Sequence, residues 1–146
     1  MNARRRTSKK RSGAKRPERP LVLFVDECLG RHLVPDALIA AGAAVEPYHT
    51  QFQPGTPDAE WLPAVGRKGW VVLTKDRHVR RRPIEVQAIL SSGVKAFVLT
   101  CGDLQGLEQA ALLVKVLPKI RRLCRRPGPF IATITRSGIV QIDRTR

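Results

Sequence analysis

Carboxylates are scarce in this chain: 12 Asp and Glu stand against 27 Lys and Arg over 146 residues, a formal net charge of +15. Such an excess favours polyanionic partners. Cysteine is scarcer still. Cys28, Cys101 and Cys124 are widely spaced and form no CxxC pair, and oxidised pairing would leave one over. Reduced thiols in a cytoplasm are therefore expected. His32, His49 and His78 have no ligand-like spacing to these cysteines, which argues against zinc. No run of about 18 apolar residues occurs, so no segment is expected to span a membrane. The N-terminus also lacks the apolar stretch of a secretory signal. Gly55, Gly102 and Gly106 make no phosphate-loop signature, and neither a nucleophile elbow nor a paired His and Asp supports covalent hydrolysis. The chain has no internal repeat.

Length alone indicates one domain. Residues 1–20 contain nine Lys and Arg, a single Glu and no large apolar residue after Met1. They cannot bury enough surface to offset the entropy of ordering, so they are expected to form a disordered basic arm. A nucleic-acid tail is the leading reading of that arm and a solubilising tail the alternative. Residues 21–146 remain as the folded domain, with 18 Lys and Arg against 11 acids. That is enough chain for a core without disulfides.

Three continuous apolar runs, LVLFV (21–25), WVVLT (70–74) and KAFVLT (95–100), have the character of strands covered on both faces in a parallel sheet. AAVEPY (43–48) predicts a further strand. A helix with Pro35 in its first turn, Leu38, Ile39 and Ala41 on its apolar side and Gly42 at its end is expected between the first two. A second helix is expected from a Thr56 N-cap and Pro57 at the first position to about Val65, closed by Gly66. Pro83 opens a third through Leu90. A long helix follows from Leu104 to about Leu123 on its apolar pattern, although Pro118 should kink or end it. PFIATITRSGIVQI (129–142) predicts a hairpin turning at Arg136, Ser137 and Gly138. The alternation gives an α/β fold: a three-layer α/β/α domain with a mainly parallel central sheet and a C-terminal hairpin.

In open α/β sheets, ligands bind outside the carboxyl ends of the strands. Asp26 and Glu27 follow the first strand, Lys75 and Asp76 follow the run 70–74, and Asp58 and Glu60 open the second helix toward the same edge. Converged carboxylates repel unless a cation relieves them. A hard divalent ion such as Mg²⁺ or Mn²⁺ does so, and can activate water and stabilise charge on a phosphoryl oxygen. Lys75, Arg77, Arg80 and Arg81 adjoin these acids and suit phosphate contacts that position without reading sequence. Each residue also has a plainer explanation. Acids favour a helix N-terminus through its dipole, Asp103 suits turn chemistry, and Arg81 suits a solvated loop. Trp61 and Trp70 suit the core. Arg121, Arg122, Arg125 and Arg126 form a second basic run.

The segments FVDECLGRHLVPDALIAAG, PGTPDAEWLPAVGRKGWVVLTKDRHVRRRP, VKAFVLT and PGPFIATITRSG resemble the PIN-like domains of bacterial VapC-type toxins over about residues 21–143. The resemblance implies an α/β/α fold and Mg²⁺-dependent endoribonuclease activity. It also implies a neutralising antitoxin as partner and leaves pairing of two copies open. Residue by residue, it assigns Asp26, Asp58, Glu60 and Asp76 as the catalytic and metal-binding acids. Glu27 stands where related sequences can carry a neutral or basic residue, and the basic arm lies outside the usual pattern. The competing functions are a non-catalytic nucleic-acid-binding module and an interaction protein with a degenerate PIN-like fold.

Overall fold

The computed structural model describes residues 20–76 and 81–143. Six strands make one sheet: β1 Val22–Val25, β2 Ala44–Pro47, β3 Val71–Thr74, β4 Lys95–Leu99, β5 Phe130–Ile134 and β6 Val140–Ile142. Their order is β2-β1-β3-β4-β5-β6. The first five run parallel and β6 pairs antiparallel with β5. Among the described residues, four α-helices link them: α1 Leu33–Ala40, α2 Asp58–Lys68, α3 Pro83–Ser91 and α4 Gly106–Leu123.

Alternation of side chains along each strand divides the core in two. Leu23, Val25, Leu73, Phe97 and Leu99 face α1 and α4, packing on Val34, Leu38, Leu113 and Val116. Phe24, Val72, Ala96 and Val98 face α2 and α3, packing on Trp61, Leu62, Val65 and Ile89. The strands are thus buried on both sides, which explains their unbroken apolar sequences. Pro47 is tolerated because β2 is an edge strand. The expected α/β/α layers and terminal hairpin are present.

The element ends depart from expectation in four places. Thr56 does not cap α2: its hydroxyl donates to the Gln53 carbonyl at 2.7 Å, and Pro57 takes the N-cap position. Nor does Gly66 close that helix, which continues to Lys68 and ends on Gly69 in the left-handed region at φ 73°. Gly66 instead lets α3 approach, since a Cβ there would lie 2.0 Å from the Ser92 carbonyl oxygen. In α1, Val34 and Leu38 are buried while Ile39 is 52% exposed, so the apolar side is rotated from the one expected. Finally, Pro118 does not end α4, which runs to Leu123 as its apolar pattern predicts. Pro118 is exposed, and the buried Leu117 and Ile120 on either side of it keep the helix on the sheet. Among the described residues, no helix is long and apolar enough to cross a membrane.

Candidate functional site

Strand order reverses between β1 and β3: the chain leaves β1 for β2 on one side, then returns to β3 on the other. A crevice opens at the carboxyl edge of such a switch point, and there Asp26 follows β1 and Asp76 follows β3. The two strands are in register from Leu23 with Val71 to Val25 with Leu73. The Asp26 amide continues this ladder, donating to the Leu73 carbonyl at 3.0 Å.

Both oxygens of the Asp26 carboxylate are engaged. Oδ1 accepts from the Glu27 amide at 2.8 Å, which makes Asp26 the cap of a one-turn 3-10 helix over Glu27–Leu29. Oδ2 accepts from the Thr74 hydroxyl at 2.8 Å and from the Cys28 thiol at 3.6 Å. The same Thr74 oxygen accepts from the Asp76 amide at 3.1 Å. Thr74 is 2% exposed, so one buried hydroxyl joins the ends of β1 and β3 and sets the relative position of Asp26 and Asp76. Cys28 reinforces the joint, with its sulfur 3.3 Å from the Thr74 hydroxyl and accepting from the Lys75 amide at 3.4 Å.

Asp58 is the first residue of α2 and is fixed by its own helix. The indole N–H of Trp61, one turn on, donates to Oδ1 at 2.9 Å. Trp61 is buried among Phe24 and Tyr48, so the core holds the carboxylate through the indole. Burial raises the Asp26 pKa above its ordinary value; hydrogen bonds from Thr74, Glu27 and Cys28 pull it back, and the charge of Asp58 raises it further. The Cys28 thiol is pushed up to about 11 by burial and then by the Asp26 charge, so it stays a neutral donor at physiological pH.

The other sequence-chosen residues divide. Asp76 and Lys75 are half-buried at the end of β3, and Glu60 and Arg81 are exposed. Arg77 and Arg80 lie outside the described residues. Glu27 is exposed and accepts from the Gly55 amide at 3.3 Å, pinning the connector before α2. Asp103 forms an exposed ion pair with Arg136 of the hairpin turn. Thr74, Cys28 and the indole of Trp61 were not among the residues chosen from sequence.

Among the described residues, no three His, Cys, Asp or Glu side chains are grouped to hold a metal ion. A partly desolvated carboxylate that feels the charge of a second one is nonetheless a fitting donor set for a hard cation. Mg²⁺ takes one or two carboxylates and keeps several waters, so Asp26 and Asp58 meet its minimum.

The raised Asp26 pKa has a consequence in EDTA. Between the unfolded value near 3.8 and the higher folded value, the folded state holds a proton that the unfolded chain has released. Stability therefore falls as pH rises through that window and stays lowered above it. Urea unfolding of wild type and Asp26→Asn across pH 4–8 should show this decline in wild type and its loss in the variant. Parallel profiles would mean that Asp26 is solvated as in the unfolded chain.

A family model described as "PIN like domain" matches residues 21–101. The chain is also 32% identical over 124 residues to the protein named "Putative ribonuclease VapC45" of Mycobacterium tuberculosis, covering 82% of this chain and 90% of that protein. No solved structure matches significantly.

Proposed function

This chain belongs to the PIN-like domain family, in its VapC-type branch, and on that premise we propose that it is a metal-dependent endoribonuclease that hydrolyses RNA phosphodiesters. The observation that carries the reading is the Asp26 carboxylate, hydrogen-bonded at both oxygens, half-buried, and raised in pKa by desolvation and to a lesser degree by the charge of Asp58. A carboxylate in that condition is stabilised by a cation. Asp26 and Asp58 are the primary holders of Mg²⁺ or Mn²⁺, with Asp76 and Glu60 completing the acidic rim. When bound, the ion supplies an activated water and a counter-charge for the phosphoryl oxygen.

The remaining work falls to the chain. Thr74 keeps Asp26 turned toward the crevice, and Trp61 does the same for Asp58. Lys75 and Arg81, together with Arg77 and Arg80, contact the phosphates and hold the scissile bond against the acids. In domain terms, residues 21–146 form the nuclease and residues 1–20 a basic arm that adds attraction for RNA. The same reading makes the protein a cytoplasmic toxin neutralised by an antitoxin, with pairing of two copies as a further arrangement.

Labelled RNA incubated with the purified protein should be cut with Mg²⁺ and left intact with EDTA. The melting temperature should rise more with Mg²⁺ than with NaCl of matched ionic strength, because binding to the folded state alone stabilises it by mass action. RNA left uncut in both conditions, with equal melting shifts, would favour the second reading: a non-catalytic binding module on the same fold. The lack of a ready three-ligand group among the described residues is what favours that alternative.

A further inference from the structure

The opposite edge of the sheet carries a separate feature. Where β1, β3 and β4 begin, a cavity of about 740 Å³ is bounded by Trp70, Lys95, Arg121 and Arg125, with Pro20 at its rim. Among the described residues, no carboxylate lines it. It is the second basic run of the sequence, and the carboxylate site makes no use of it.

The ordinary explanation of cations here is that they neutralise helix C-termini, since α1, α2, α3 and α4 all end at this edge. That explanation accounts for Lys95, whose ammonium donates to the Cys124 carbonyl at 2.6 Å. It does not account for the rest. Among the described residues, Arg121 makes one long contact, to the Gly42 carbonyl just past α1 at 3.4 Å, out of five available donors. Arg121, Arg122, Arg125 and Arg126 are all exposed. Four helix ends supply roughly half a negative charge each, fewer than the four guanidinium charges at the end of α4. The balance is positive. The first described residue, Pro20, stands at this rim, and nine Lys and Arg precede it in the sequence.

We propose that this cavity is a second RNA-binding site, an anchor in which Arg121 and Arg125 contact backbone phosphates of a strand whose other part lies at the carboxylate edge. The choice of RNA as the polyanion rests on the function proposed above. The strands between the two edges have four or five residues, so the edges are separated by at least about 13 Å at roughly 3.3 Å per residue. A long strand can engage both edges and a dinucleotide cannot. The anchor therefore serves affinity for long RNA and leaves the chemical step alone.

The test uses the full-length protein, with Arg121→Gln/Arg125→Gln compared with wild type and with Arg121→Lys/Arg125→Lys. Binding of a fluorescent 30-nucleotide single-stranded RNA is followed in EDTA across a range of NaCl concentrations, and cleavage of a labelled dinucleotide is followed with Mg²⁺. At about 0.7 unit of salt slope per phosphate on single strands, the Gln pair should lower the slope by about 1.4 and low-salt affinity roughly tenfold or more. The Lys pair should restore most of both, and dinucleotide cleavage should be unchanged. A chain that cuts no RNA but shows this slope change would keep the anchor while losing the nuclease reading. Wild-type slope and affinity in the Gln pair would overturn the anchor. So would a fall in melting temperature with RNA binding intact, since the arginines would then only neutralise helix ends. Parallel loss of dinucleotide cleavage in a folded variant would overturn its separation from the catalytic edge.

Discussion

Asp76→Asn is expected to lower RNA cleavage by more than about 100-fold, because even groups one step removed from a metal typically cost 10–100-fold when changed. Fold and RNA affinity should survive. The backbone of Asp76 is held by its amide, which donates to the Thr74 hydroxyl at 3.1 Å, and an asparagine keeps that bond. The amide side chain is nearly isosteric but uncharged, so it holds a cation weakly. One fewer negative charge at the carboxyl edge also favours the approach of phosphate, so RNA binding in EDTA should stay equal or tighten. Cleavage rate, RNA affinity in EDTA and thermal midpoint together decide the matter. Cleavage near the wild-type rate would remove Asp76 from the site and weaken the nuclease reading. An unfolded variant would assign it a structural role.

The parts of this site that were legible in the sequence are those fixed by strand ends. LVLFV and WVVLT are covered on both faces, so their apolar runs are continuous and the first polar residue after each marks the carboxyl edge. Asp26, Lys75 and Asp76 could be placed on that edge before any contact was known. What holds them there could not. Thr74 reads as one more β-branched residue of a strand, and its bond to Asp26 spans 48 residues. Finding it requires β1 and β3 to be adjacent and in register. Trp61 was legible as core and Asp58 as a first-turn acid, but the bond between them depends on how the indole is turned by Phe24 and Tyr48. Asp103 does lie in a turn, as its CGD context predicts, but its ion pair with Arg136 of the distant hairpin was not legible. The amphipathic phase of α1 failed for a related reason: with Leu, Val, Ile and Ala on most positions, several faces are apolar enough to bury, and packing on α4 chooses among them.

Glycine 66 carries the sharpest of these lessons and the largest expected effect on stability. In sequence, Gly66 reads as the end of the helix. Only Gly69 has the left-handed backbone of a cap, whereas Gly66 lies within α2. Helix propensity alone would make Gly66→Ala stabilising by about 1 kcal/mol. Packing opposes this. The new Cβ would sit 2.0 Å from the Ser92 carbonyl oxygen, 3.1 Å from its carbon and 3.4 Å from Val94 Cγ2. The two closest atoms are backbone at the end of α3 and cannot swing aside as a flexible side chain would, and Val94 is 1% exposed. Relief requires α2 and α3 to separate over the core that holds Trp61, Leu62 and Ile89. Overpacking of this kind commonly costs about 1–3 kcal/mol and occasionally more, and a contact this short against backbone belongs at the upper end. The clash outweighs the propensity gain, and a net loss of about 2 kcal/mol should lower the melting temperature by roughly 5–10 °C. Thermal and urea unfolding of the variant measure it directly. An unchanged or higher midpoint would mean that the two helices sit farther apart in solution and that Gly66 has no packing role.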